Sequence, residues 1–104
     1  MTRKLGLSCE VRGTIAEVLV SGDLDMAAAF KLEPAIERVV AEHSVQALVL
    51  DLADVSFIDS AGVGSLLSAR DRLNDLGVNA HFTRPSKAVE RVLDVGGIRH
   101  VVVD

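Results

Sequence analysis

The sequence predicts an α/β domain with a mixed, four- to five-stranded sheet in the order β-β-α-β-α-β-α, and three observations predict it. Short runs rich in β-formers alternate with longer runs of helical period, the arrangement that gives parallel strands joined by helical crossovers. The first two β-rich runs are separated only by Arg12-Gly13, room for a hairpin turn and nothing longer, so the sheet opens antiparallel. The third, VQALVLDL at 45–52, is almost continuously apolar, the pattern of a central strand covered on both faces. With 104 residues, 49% hydrophobic and 25% charged, the chain is sized for one core, so residues 1–104 are read as a single domain.

In chain order, LGLSCEV (5–11) and TIAEVLVS (14–21) form the hairpin, with Cys9 expected as a small core residue. Ser21-Gly22-Asp23-Leu24-Asp25 is an acidic turn. Met26 to Glu42 reads as a helix with Phe30, Ile36, Val39 and Val40 on its apolar side and Glu33, Glu37, Arg38 and Glu42 opposite. Pro34 lacks an N–H and suits a first turn, where such groups have no intrahelical partner, so the regular part is expected to start late, near Phe30. After the central strand, whose Asp51 is expected at the exposed carboxyl edge of the sheet, Ala61 to Leu76 carries Val63, Leu66, Leu67, Leu73 and Leu76 at helical spacing. Asp59 or Ser60 caps its start and Gly77 stops it. Val78 to Thr83 alternates as a strand, Arg84-Pro85 turns the chain, and Ser86 caps a third helix bearing Val89, Val92 and Leu93 that ends at Gly96-Gly97. His100 to Val103 is long enough for a short edge strand.

Composition excludes several roles. The net charge of −4, with Lys and Arg scattered among acids, argues against a nucleic-acid partner, because neutralising phosphates takes clustered cations. No run of apolar residues is long enough to cross a bilayer, and Arg3-Lys4 are not followed by the apolar stretch of a secretory signal; a cytoplasmic protein without direct membrane insertion is expected. Cys9 stands alone, and His43, His81 and His100 fall in three separate elements as surface or edge residues, so neither a disulfide nor a metal site is expected.

Chemistry concentrates in DLADVSFIDSAGVG, 51–64, where Asp59-Ser60 sits at a strand-to-helix junction. A helix N-terminus offers unpaired N–H groups, so a phosphate on Ser60 need not unfold the domain. Asp59 before it and Ala61-Gly62 after it leave little bulk around the hydroxyl. Gly62 and Gly64 weaken the helix by roughly 1 kcal/mol each relative to Ala, a loss that close approach of a partner surface or a neighbouring strand would offset. Spacing alone leaves two readings of Ser60 open: an ordinary helix cap, or an accessible hydroxyl for another protein's active site. A nucleophilic serine needs a base held by a third group, and no histidine is marked for that role. GVGS at 62–65 lacks the Lys-Ser or Lys-Thr of a phosphate-binding loop. LVLDL at 48–52 looks like the phosphoacceptor strand of a response-regulator receiver, but the acidic pair such domains carry after their first strand is missing near Val11, and so is a final helix. An enzyme is not expected.

The residues do resemble a family. VSFIDSAGVGSLL at 55–67 resembles the signature of the STAS domain, and within it that of the bacterial anti-sigma factor antagonists: an Asp-Ser pair, a small residue, a glycine, an aliphatic residue and a second glycine. GDLD at 22–25 is similar to the family's turn after the second strand. SKAVERVLDVGGI at 86–98 is similar to its closing helix, with Ser86, Val89, Leu93 and Gly97 in the expected places, so the likeness spans nearly the whole chain.

The resemblance implies a single STAS domain that works by partner switching. The unphosphorylated domain binds an anti-sigma factor that is also a serine kinase, and so frees a sigma factor for transcription, as in stress responses. The kinase then phosphorylates the serine of the Asp-Ser pair, by position Ser60, and the complex dissolves until a PP2C-type phosphatase resets it. Nucleotide and Mg²⁺ belong to the kinase; the domain takes no cofactor. Ser60 is thus the implied phosphorylation site, and Asp23, Asp25, Asp59, Ser60, Ala61, Gly62 and Gly64 are the implied partner-binding residues. Asp23 also reads as a turn residue, and Asp25 and Asp59 as helix caps. A phosphate of about −1.5 to −2 charge beside Asp59, Asp23, Asp25 and Asp54 sets like charge against the interface. Many members carry Ser or Thr where this chain has Ala61, which leaves one hydroxyl to modify and removes a contact. The alternative, from another class, is a STAS subunit of a membrane-associated, lipid-transport type complex in which Ser60 caps or contacts without being phosphorylated.

Overall fold

The structure is a computed structural model that describes residues 3–102. A four-stranded sheet contains β1 (Gly6–Arg12), β2 (Ile15–Leu24), β3 (Ala47–Ile58) and β4 (Asn79–Thr83) in that spatial order. β1 pairs antiparallel with β2, while β2–β3 and β3–β4 are parallel, as the hairpin and crossover pattern predicts. Helices α1 (Met26–His43) and α2 (Ser60–Asp75) make the crossovers, and α3 (Lys87–Val95) and a 3-10 turn at Arg99–Val101 follow the last strand. The hairpin turn falls one residue late: Arg12 pairs with Ile15, so Gly13-Thr14 turn the chain, with Gly13 at φ 62°. Ser86 caps α3 as expected, accepting the Val89 N–H at 3.2 Å.

The buried strand residues share one face. Ala16, Leu48 and Ala80 lie in register across three strands, as do Val18, Leu50 and Phe82, and with Leu52, Val55 and Ile58 they join Ala28, Leu32 and Ile36 of α1, Leu66, Ala69 and Leu73 of α2, and Val89 and Leu93 of α3 in a single core. On the opposite face Glu17 is exposed and Leu19, Val49, Asp51 and His81 are half-buried. The central strand is therefore covered on one face only; Val49 is shielded by its neighbours Glu17 and His81 rather than by a helix.

Other expectations need correcting. α1 starts at Met26, not near Phe30: Asp25 caps it, its Oδ1 accepting the Ala28 N–H at 3.0 Å. That cap and the burial of Ala28, Leu32 and Ile36 outweigh the backbone bond that Pro34 deletes inside the helix. The apolar stripe then runs along 28, 32 and 36, which turns Phe30 outward, 79% exposed. β3 continues beyond Leu52 to Ile58, so Asp51 lies within it, paired with Leu19 and Thr83, and not at the carboxyl edge. Cys9 is on the core-facing side of β1, opposite Val18, but β1 is an edge strand and the thiol is exposed; partial desolvation still raises its pKa above the ordinary thiol value. The closing segment is a 3-10 turn with one bridge, Val102 to Phe82, rather than an edge strand, because Ile98, Val101 and Val102 pack on the core at helical spacing. Val103 lies outside the described residues. Among the described residues no helix is long and apolar enough to cross a membrane.

Candidate functional site

The parallel strands β2 and β3 end together, Leu24 paired with Ile58, and each runs through one aspartate into a helix. The two junctions are built alike. Asp25 caps α1; Asp59 caps α2, its Oδ1 accepting the Gly62 N–H at 2.8 Å. The Asp59 N–H reaches back to the Leu24 carbonyl at 3.5 Å, tying one junction to the other. Of the two residues the sequence offers as cap, Asp59 does the capping. Ser60 is the first helical residue and its side chain is exposed, at the positive end of the α2 dipole.

Two bulges bring β3 to this position. Leu19 pairs with Asp51 but Ser21 with Asp54, and Gly22 with Val55 but Asp23 with Phe57, so β3 twice carries an extra residue. An aspartate holds each irregularity. Asp51 Oδ1 accepts the Ala53 N–H at 3.0 Å, and its Oδ2 meets Arg84 Nη1 at 3.3 Å. Asp23 Oδ1 accepts the Ser56 hydroxyl at 3.0 Å, its Oδ2 accepts the Arg3 N–H at 3.0 Å, and its own N–H donates to the Arg3 carbonyl. Asp23 thus clamps three segments, and both its carboxylate oxygens are engaged within the domain. Gly22 makes the clamp fit: it sits at φ 86°, and a Cβ there would stand 2.2 Å from the Lys4 carbonyl. Ser56, Asp23's partner, carries no sequence signal, because its role depends on a bulge that spacing does not reveal.

The two glycines of the motif face different ways. Gly62 is buried, and a Cβ on it would lie 2.0 Å from the Leu24 carbonyl and 2.9 Å from Ile58 Cγ1. Its clearance serves the approach of α2 to the strand ends, the neighbouring-strand reading of the motif glycines. Gly64, one turn above Ser60, is exposed with open space where its Cβ would be. Ala61 is half-buried. Asp23, Asp25, Asp59, Ser60, Ala61 and Gly64 therefore gather at one sheet edge. Asp54 stands further back on β3, opposite Ser21 and bordering a cleft with Arg3 and Lys4.

The fold has counterparts in known proteins. The family model for the STAS domain matches residues 7–103. The chain belongs to the STAS domain family. It is 30% identical over 88 residues to the anti-sigma-B factor antagonist of Staphylococcus epidermidis, covering 83% of this chain and 79% of that protein. It is similar in structure to an anti-sigma factor antagonist from Mycobacterium paratuberculosis, with a TM-score of 0.78 and 30% identity, covering 95% of this chain and 83% of that one. Its fold is also that of the Bacillus cell fate determinant SpoIIAA in the phosphorylated form, with a TM-score of 0.69 and 22% identity, covering 97% and 90% of the two chains. This STAS domain thus falls among the anti-sigma factor antagonists, which are regulatory binding proteins and not enzymes.

Proposed function

We propose that this STAS domain binds, in its unphosphorylated form, an anti-sigma factor that is a serine kinase, thereby frees a sigma factor, and is released when that kinase phosphorylates Ser60; a PP2C-type phosphatase restores binding. The observation that carries the reading is the division of labour at the start of α2: Asp59 supplies the cap, which leaves the Ser60 hydroxyl exposed. The relatives named as anti-sigma factor antagonists support it, as does a phosphorylated form of a protein with this fold. The cycle runs in the cytoplasm.

The switch is electrostatic. Transfer of the ATP γ-phosphoryl group to Ser60 Oγ, with loss of the hydroxyl proton, adds about −1.5 to −2 charge. The N-terminus of α2 accommodates it, so the domain stays folded. The surface, however, already carries Asp23, Asp25 and Asp59, and a docked partner now meets like charge and a phosphate to desolvate. Incubation with Mg-ATP and each purified serine-kinase anti-sigma factor of the source organism is expected to add one phosphate, at Ser60; a phosphate mapped to any other residue rejects the assignment. Ser60→Asp is expected to weaken binding and Ser60→Ala to preserve it, and the reverse order rejects the charge mechanism.

A further inference from the structure

Among the described residues six large apolar side chains are exposed, and their distribution is uneven. Ile15 opens β2 at its far end, and Leu76 and Val95 lie at the ends of α2 and α3. The other three surround the Ser60 junction: Met26 is the first residue of α1, Phe30 lies one turn on, and Phe57 pairs with Asp23 at the end of β3. Of the chain's three phenylalanines only Phe82 fills the core, while Phe30 is 79% and Phe57 49% exposed.

α1 and α2 leave adjacent parallel strands side by side, and their contacts keep one register. Ser68 Oγ donates to Glu33 Oε2 at 3.4 Å with a sequence offset of 35, and Arg72 pairs with Glu37 at the same offset, 72 − 37 = 35. That register sets Phe30 level with Ser65 and Met26 level with Ala61, so the two side chains flank the first turns of α2. Because Gly64 has no side chain and open space above it, the α2 surface has a step there, one turn from the Ser60 hydroxyl. Phe30 itself borders a shallow cleft with Glu33, Glu37 and Arg72, and with Arg72 paired to Glu37 the rim carries a net negative charge.

We infer that Phe30, assisted by Met26, is the hydrophobic anchor of the partner-binding surface and enters an apolar pocket with a basic rim on the anti-sigma factor kinase. The inference rests on the reading of Ser60 as the switch and supplies what holds the complex before the switch acts. Aromatic side chains buried at the centre of an interface carry a large share of its binding energy. The acidic rim selects a basic surface, and it disfavours a second copy of this chain, whose equivalent acids would face it across a two-fold axis. A phosphate on Ser60 stands one turn away, so Phe30 cannot be buried without bringing the phosphate to the interface.

The test uses the full chain, with each purified serine-kinase anti-sigma factor of the source organism as the probe. Phe30→Ser, Gly64→Gln and Ser60→Asp are compared with the unmodified chain by calorimetric titration, by phosphorylation kinetics and by thermal melting. Phe30→Ser is expected to melt as the parent does, to bind at least about tenfold more weakly, and to raise the KM for phosphorylation with kcat unchanged. Gly64→Gln, which fills the step without touching the core, is expected to weaken binding likewise and decides the matter if Phe30→Ser fails to fold. Binding by both variants within about twofold of the parent, with Ser60→Asp not binding, overturns the anchor and leaves the switch standing. If no probe binds the parent chain, both readings fall. Sedimentation showing a dimer of the parent chain that Phe30→Ser dissolves overturns the kinase as occupant.

Discussion

Asp59 and Ser60 are neighbours with separate tasks, and the separation is what makes the site usable. A serine whose oxygen caps its helix has that oxygen occupied; here the aspartate accepts the Gly62 N–H and the serine is left outside. The pair was legible in the sequence, but which member caps was not, since both residue types suit that position. The glycines were legible as anomalies in a helix and illegible in direction, because what passes close to Gly62 is the Leu24 carbonyl, distant in sequence. Their contrast makes a prediction. Gly62→Ala forces a methyl into backbone and is expected to destabilise the domain by roughly 1–3 kcal/mol. Gly64→Ala meets open space, gains helix propensity, and is expected to stabilise by roughly 0.5–1 kcal/mol. Urea unfolding of the two variants checks both signs; equal effects would contradict the assignment of one glycine to packing and the other to surface.

At the scale of elements, α1 and β3 show where spacing misleads. Pro34 argues for a late helix start near Phe30, and the apolar side reads as Phe30, Ile36, Val39 and Val40, which leaves out Ala28 and Leu32. The true stripe of 28, 32 and 36 begins with the Asp25 cap, whose strength does not register in hydrophobic periodicity. Pro34 remains a defect tolerated on the solvent side. Pro34→Ala restores an N–H within reach of the Phe30 carbonyl and is expected to raise stability by roughly 1–3 kcal/mol, read from the shift of the denaturation midpoint at constant m-value. For β3, the even alternation of buried residues through Leu52 gives way to Leu52, Val55 and Ile58, and the two bulges responsible rest on Asp51 and Asp23. A polar carboxylate inside a strand reads as a strand end when its bulge is unseen, which is why Asp51 was placed at the sheet edge.

Across the whole molecule, the architecture follows from one hairpin, two crossovers and a closing helix, and these were readable because each is local: a turn too short for a helix, then amphipathic runs between apolar ones. The one-sided sheet was not readable, since an apolar run such as VQALVLDL does not say which of its residues are covered by helices and which only by neighbouring strands. The consequence for function is that all three helices share the core with one face of the sheet, while the two capped junctions stand together at its edge. A phosphate added there lies outside the core, so the phosphorylated protein is expected to keep its far-UV circular dichroism and its cooperative melt. The central claim is that one group on Ser60 changes partner affinity without changing the fold. Calorimetric titration of the proposed anti-sigma kinase partner with the protein before and after stoichiometric Ser60 phosphorylation tests it most directly: a loss of affinity of at least about tenfold with an unaltered melting curve is predicted, and equal affinity of the two forms would contradict it.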